Sequence, residues 1–143
     1  MVTIAAELAA CVLFALAAIH VYWAAGGTVG ITAAVPARAA GDARAAFMPG
    51  SIATLAIALL LAVAAVTLAL AGLHVLHGIP AIAARGASGI VALAFAARAV
   101  GDFQYVGITK RVRRTVFARR DTAVYTPLCA ALACACAATA AVG

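Results

Sequence analysis

Four long apolar runs, separated by short polar or glycine-containing stretches, organise the chain from one end to the other. They cover residues 2–25, 51–73, 86–107 and 123–142. A helix needs about 20 residues to cross the hydrocarbon core of a bilayer, so three of these runs fit directly. The runs are rich in Ala and Leu and lack alternation, which argues against membrane strands. The pattern predicts an all-α integral membrane four-helix bundle, in a single domain over residues 1–143.

The third run has an informative length. Between Arg85 and Arg98 stand only the twelve uncharged residues 86–97, which form about 18 Å of helix. Because the hydrocarbon core is about 30 Å thick, we expect this helix to continue to residue 107. Arg98 and Asp102 would then lie at the membrane boundary, on one helical face and within ion-pairing reach.

The start of the fourth run carries two signals. Thr126 followed by Pro127 is typical of an N-cap and a first helical residue, since proline lacks a donor that is unused at that position. A start at Asp121 and Thr122 would add one turn.

Composition supports a membrane location. The chain is 68% hydrophobic and 10% charged, whereas a soluble domain carries about a quarter charged residues. Arginine outnumbers lysine nine to one, a bias typical of a GC-rich bacterial genome. We therefore expect a multi-pass protein of the bacterial inner (cytoplasmic) membrane.

The net charge of +6 follows the topology rather than a nucleic-acid partner, because the basic residues stand between apolar runs. Loops one and three carry eight basic residues, against Arg85 alone on the other side. The eight are Arg38, Arg44, Lys110, Arg111, Arg113, Arg114, Arg119 and Arg120. The positive-inside rule then predicts cytoplasmic loops one and three and both termini outside (N-out/C-out).

Polar and aromatic residues gather at one end of this predicted bundle. They stand where the first run ends, where the third run ends and where the fourth begins, and the topology brings these places to the cytoplasmic side. The candidate site residues there are His20, Tyr22, Trp23, Arg98, Asp102, Phe103, Tyr105, Asp121 and Tyr125.

The sequence around these residues resembles a known family. The segments H-x-Y-W-A-x-G-G, R-A-x-G-D-F-x-Y-V-G and F-A-R-x-D-T-x-x-Y-x-P-L-C look like the signature of a bacterial family of small four-helix membrane proteins, catalogued as domain of unknown function 3995. The resemblance spans nearly the whole chain. Some small four-helix proteins loosely associated with this group resemble membrane-bound cyclases of indole-linked terpenes, which implies activity on an isoprenoid.

An isoprenoid cyclase or isomerase needs a carboxylic acid kept protonated in a dry site, and aromatic faces that stabilise carbocations. Asp102 would be the acid, helped or replaced by His20 or Asp121. The predicted substrate-binding residues are Tyr22, Trp23, Arg98, Phe103, Tyr105, Tyr125 and Glu7. A lipophilic substrate would enter from the lipid, and we expect no cofactor.

Structural interpretations stand beside these functional ones. Arg98 and Asp102 would form an intrahelical salt bridge that eases both charges at the boundary. Trp23 would be an interfacial anchor, with His20 bonded to a neighbouring backbone group. Glu7 lies about 20 Å from His20 along the helix, so it is either a second functional position near the outer face or an acid that reaches water.

A histidine pair and two other possible functions complete the interpretation of the sequence. His74 and His77 form H-x-x-H, but two ligands do not make a metal site, and we expect none. A small oligomeric drug or ion transporter is a second hypothesis, weakened by the strong charge bias and the clustered polar end. A non-catalytic assembly subunit is the third, since small residues permit close packing in a homo-oligomer. The small residues concerned are Gly72, Gly78, Gly86 and Gly89.

Overall fold

The computed structural model describes residues 2–38 and 46–142, and this part of the chain is helical without strands. Four helices are long and apolar enough to cross a membrane, which confirms the predicted all-α membrane architecture. The helices are α1 (Val2–Ala24), the single turn α2 (Ile31–Ala34), α3 (Ser51–Gly72), α4 (Ile79–Val100) and α5 (Val116–Val142). Arg44 lies outside the described residues.

Small residues form most of the interior of the bundle, together with a few buried leucines, and most large apolar side chains face outward. α1 packs mainly on α3 and α4 mainly on α5. Ala9, Ala10, Ala64 and Ala65 are in the core, while Leu59 is 66% exposed. Lipid therefore solvates the large side chains, and close helix contact depends on small ones.

Helix α4 differs from the prediction at both ends. It begins at Ile79 with Pro80 in its first turn, and it ends at Val100, so the predicted span 86–107 is wrong. The helix reaches membrane length by starting earlier, which places Arg85 on α4 instead of in loop two. Gly101, at φ 101°, ends the helix. The chain turns back so tightly after it that a Cβ at this position would collide with the Val106 carbonyl, so a glycine is needed here.

Helix α5 begins earlier than predicted. Its N-cap is Thr115, whose Oγ1 accepts a hydrogen bond from the Ala118 N–H at 3.0 Å. Pro127 lies inside the helix, directly after a π-helical turn at Asp121–Tyr125. In that turn the Thr126 N–H bonds to the Asp121 carbonyl, five residues back. The wider turn accommodates a proline that has no N–H and would crowd a regular α-helix.

The order of the helices brings four helix ends together, namely the C-termini of α1 and α4 and the N-termini of α3 and α5. We call this the polar end, comprising residues 20–38, 46–54 and 98–126. The opposite end carries the exposed His74 and His77. Arg85 lies there too, and its guanidinium donates to the Ala140 carbonyl at 3.1 Å. Which side of the membrane each end faces stays a prediction.

Candidate functional site

Asp121 is the centre of a buried ion cluster at the polar end. Its side chain is 0% exposed, and it pairs with Arg98 at 2.7 Å and with Lys110 at 2.9 Å. Oδ2 also accepts hydrogen bonds from the Gly107 N–H at 2.9 Å and the Thr126 hydroxyl at 3.1 Å. The carboxylate thus joins α4, loop three and α5, and four polar groups stabilise one buried charge.

Residues 101–115, which follow α4 and form loop three, fold around this carboxylate. Gly107 adopts φ 77° and is itself buried, which brings its N–H to Asp121. Lys110 is only 4% exposed, and its ammonium also donates to the Gly107 carbonyl at 2.9 Å. The ion cluster is therefore part of the fold of loop three.

The cluster holds more positive than negative charge. Arg98 and Lys110 contribute two cations against the single carboxylate of Asp121. Arg98 uses Nη2 for its ion pair, while its Nη1 is buried and has no hydrogen-bond partner within the described residues. A buried donor without a partner is costly, so this side of Arg98 is suited to a further acceptor.

Asp102 does not pair with Arg98, and the predicted intrahelical ion pair is wrong. Asp102 lies beyond the end of α4, so the two residues do not share a helical face. Its Oδ1 accepts hydrogen bonds from the N–H groups of Gln104, Tyr105 and Val106, at 2.9, 2.6 and 3.0 Å. Asp102 is thus the acceptor that closes an exposed turn.

This geometry also determines the protonation state of Asp102. Its slight burial acts to raise the pKa, but the three backbone donors outweigh that and hold the pKa below its ordinary value of 3.8. The carboxylate is therefore ionised at neutral pH. Asp102 lacks the protonated form that an acid-initiated reaction needs.

The two aromatic residues beside Asp102 belong to the same turn. Phe103 is 62% exposed and adopts φ 64°, and the Tyr105 hydroxyl accepts a hydrogen bond from the Gln104 amide at 3.2 Å. Neither lines the two large cavities described below. An exposed aromatic at this end suits the membrane interface.

His20 lies on the last turns of α1. Its Nδ1 is 2.8 Å from the Leu16 carbonyl, and a carbonyl only accepts, so Nδ1 carries the hydrogen. Its ring meets Trp23 edge to face, with centroids 5.3 Å apart. The other ring nitrogen, Nε2, is left available for proton transfer.

Tyr22 and Trp23 hold the chain that follows α1. The Trp23 indole donates to the Val29 carbonyl at 2.9 Å, and the Val29 N–H donates to the Tyr22 hydroxyl at 3.3 Å. The Tyr22 ring covers Gly27 so closely that no Cβ would fit there. These contacts fold residues 25–30 back over the end of α1.

An apolar cavity of about 720 Å³ lies between the end of α1, α2 and the start of α3. A volume of this size accommodates a small lipophilic molecule. The side chains that give it its character are those of His20, Trp23, Ile31, Val35, Phe47 and Ile57. His20 and Trp23 are therefore brought to one cavity, whose lining includes neither Asp102 nor Asp121.

Tyr125 connects the ion cluster to this cavity. It closes the π-helical turn that Asp121 opens, and its hydroxyl donates to the Ala33 carbonyl of α2 at 3.1 Å. Its ring also lies 6.0 Å from that of the buried Phe117. Tyr125 thus positions α2 and does not itself line the cavity.

Glu7 lies towards the other end of α1. One of its carboxylate oxygens, Oε1, is buried and has no hydrogen-bond partner in the described part of the chain. A second, more open apolar groove of about 760 Å³ runs between α4 and α5, lined by residues including Gly86 and Gly89. Gly72 lies instead at the contact of α3 with Ala6, and Gly78 lies in the turn before α4.

From the sequence, His20, Asp102 and Asp121 were identified as acid–base groups. Lys110, Gly107 and Thr126 were not identified as partners of Asp121. Lys110 was treated as one of several basic residues in a loop, although it is the only lysine of the chain and so stands apart from the arginines around it. Among the described residues, no three His, Cys, Asp or Glu side chains come together as metal ligands.

A family model described as "Protein of unknown function (DUF3995)" matches residues 13–136. The matched region includes the three segments around His20, Asp102 and Asp121. No curated protein and no solved structure matches the chain.

Proposed function

This chain belongs to the DUF3995 family, and we propose that it is a small integral membrane enzyme that cyclises or isomerises a lipophilic, isoprenoid-type substrate by proton transfer. The observation that carries the proposal is the apolar cavity of about 720 Å³ with the imidazole of His20 in its wall. A mostly apolar cavity with one titratable group in its wall, beside a few hydroxyls such as those of Ser51 and Thr54, is the usual form of a site for a lipophilic substrate.

His20 is the proposed acid and base. Its Nδ1 is fixed by the Leu16 carbonyl, so Nε2 exchanges the proton. The imidazolium would donate this proton to the substrate, and the neutral imidazole would take a proton back from carbon when the product forms. The cycle needs no cofactor, because substrate and product have the same atoms.

The acid strength of an imidazolium limits the kinds of substrate that His20 could protonate. An imidazolium is too weak to protonate an isolated alkene, but it suits an epoxide or carbonyl oxygen. Trp23 lies beside His20 in the same cavity, where its ring face would stabilise a developing cation. We therefore propose an isoprenoid that already carries an oxygen function.

The two aspartates take supporting roles in this proposal. Asp102 is ionised and closes a turn, and Asp121 is saturated by its ion pairs and hydrogen bonds. Neither supplies the acid, which moves this role from Asp102 to His20.

The test is product formation in lipid nanodiscs. Polyprenyl epoxides are supplied, and cyclised or isomerised products of unchanged mass are followed by chromatography and mass spectrometry. His20→Gln should abolish turnover. The matched control is His77→Gln, which changes an exposed histidine at the opposite end and should keep it. Full turnover by His20→Gln would refute the proposal, and loss of turnover in Asp102→Asn alone would return the acid to Asp102.

Proton-coupled transport is a second candidate, favoured by one observation. Glu7 lies inside a membrane helix with a buried carboxylate oxygen that has no hydrogen-bond partner among the described residues, and such residues mark proton or ion pathways in transporters. In proteoliposomes with a pH gradient, transport predicts that Glu7→Gln abolishes substrate uptake while His20→Gln retains it. The enzyme proposal predicts no uptake to abolish.

A further inference from the structure

The ion cluster around Arg98 has an unused binding capacity. Asp121 neutralises only one of its two cations, and its own oxygens already accept four hydrogen bonds. Lys110 is buried and the side chain of Arg98 is only 31% exposed, so water screens the remaining positive charge only in part. A second anion would complete the cluster.

Arg98 has the donor for that anion. Its side chain is 31% exposed, whereas Nη1 is buried and has no partner within the described residues. A guanidinium offers its N–H groups in a planar fork that matches the oxygens of a phosphate. The exposed part of Arg98 gives a ligand access to the guanidinium, and a small rotation of the side chain would turn the buried Nη1 towards it as a donor.

The surrounding charge favours an anion as well. Arg111, Arg113 and Arg114 are exposed on loop three, as are Arg119 and Arg120 on the first turn of α5. The exposed acid of this loop is Asp102, whose Oδ1 is occupied by three backbone donors. The local field therefore attracts negatively charged groups to this side of the polar end.

We propose that Arg98, with the buried Lys110 behind it, binds a phosphate group at the polar end of the bundle. A phosphate monoanion would neutralise the cluster and accept from Nη1. A phospholipid headgroup or a free phosphate compound could supply this group, and the site is separate from the cavity of the proposed function, since neither cation lines that cavity.

The test compares two probes on the detergent-solubilised full chain. Short-chain phosphatidylglycerol and sodium phosphate are titrated separately, with short-chain phosphatidylcholine as the zwitterionic reference, and the unfolding temperature is followed. Arg98→Gln removes the proposed donor but leaves the pair of Lys110 and Asp121. Arg111→Gln removes the same charge from an exposed position in loop three.

Wild type and Arg111→Gln should be stabilised in a saturable way, and Arg98→Gln should bind about tenfold more weakly or worse, because a charge-assisted hydrogen bond is lost. Protection by phosphatidylglycerol alone identifies a lipid headgroup, and equal protection by sodium phosphate identifies a free phosphate. Equal loss in Arg98→Gln and Arg111→Gln would show unspecific surface attraction and overturn the proposal, as would the absence of protection in wild type.

If Arg98→Gln does not fold, Arg98→Lys provides the comparison. It keeps the charge but removes the planar fork, so affinity for the protecting probe should still fall. Unchanged affinity in this variant would also contradict the site.

Discussion

At the scale of single residues, Asp102 and Asp121 differ in what surrounds them. Asp102 is exposed and accepts from three backbone N–H groups, while Asp121 is fully buried between two cations. The same side chain therefore closes a turn in one place and neutralises an ion cluster in the other. Substitutions should distinguish these roles from catalysis.

For Asp102 we predict that Asp102→Ala lowers the free energy of unfolding by about 1 kcal/mol, as for loss of a capping acceptor, whereas Asp102→Asn has a small effect because its amide oxygen still accepts. The lowered pKa means that the stabilisation is present above the ordinary pKa of 3.8 and is lost as pH falls through the folded-state value. Chemical unfolding between pH 7 and pH 3 measures this. An unchanged pH dependence in Asp102→Asn would contradict the assignment.

For Asp121 we predict a large loss, about 3–5 kcal/mol in Asp121→Asn, because two buried cations lose their counter-ion. Adding Lys110→Met to Asp121→Asn should recover part of this loss, since one orphaned charge disappears. A double-mutant cycle of unfolding free energies gives the coupling. Additive effects of the two substitutions would show that no such ion pair exists.

At the scale of helices, the sequence predicted the elements well and their ends poorly. The apolar runs identified all four long helices because lipid demands about 20 apolar residues each. The ends of α4 and the start of α5 were misplaced because Arg85 was assumed to lie in a loop and Pro127 to begin a helix. Arg85 is tolerated on α4 through its bond to the Ala140 carbonyl, and Pro127 through the π-helical turn before it.

The candidate site was predicted only in part, because its contacts depend on where α4 ends. The convergence of helix ends followed from topology, and Arg98 and Asp121 do meet there. Pairing within the convergence depends on where Gly101 ends α4, which decides that Arg98 contacts Asp121 and not Asp102. A glycine in the sequence indicates that such a backbone turn is possible, but it does not identify the residues that the turn brings into contact.

Close contact of α1 and α3 gives a prediction at this scale. A Cβ at Gly72 would lie 2.6 Å from the Ala6 Cβ, whereas a Cβ at Gly86 meets nothing within 4 Å. We expect Gly72→Ala to destabilise the bundle by about 1–3 kcal/mol through overpacking. Gly86→Ala should be neutral or stabilising, since alanine favours a helix. Unfolding in detergent measures both, and equal effects would contradict the packing.

At the scale of the whole molecule, the orientation in the membrane is the main prediction that the fold leaves open. The excess of basic residues at the polar end predicts that this end is cytoplasmic. In a cysteine-free variant, His77→Cys should react with a membrane-impermeant maleimide in intact cells, and Ile108→Cys only after permeabilisation. Labelling of Ile108→Cys from outside would reverse the topology.

We propose that the cavity beside His20 binds a lipophilic molecule, and Trp23 reports on it directly. Trp23 is the only tryptophan of the chain and lines that cavity, so its emission in nanodiscs should change saturably as a polyprenyl epoxide is titrated. Ala53→Phe, which fills the cavity, should abolish the change, whereas Ala130→Phe, at an exposed position of α5, should keep it. A change that does not saturate, or that persists in Ala53→Phe, would contradict the claim.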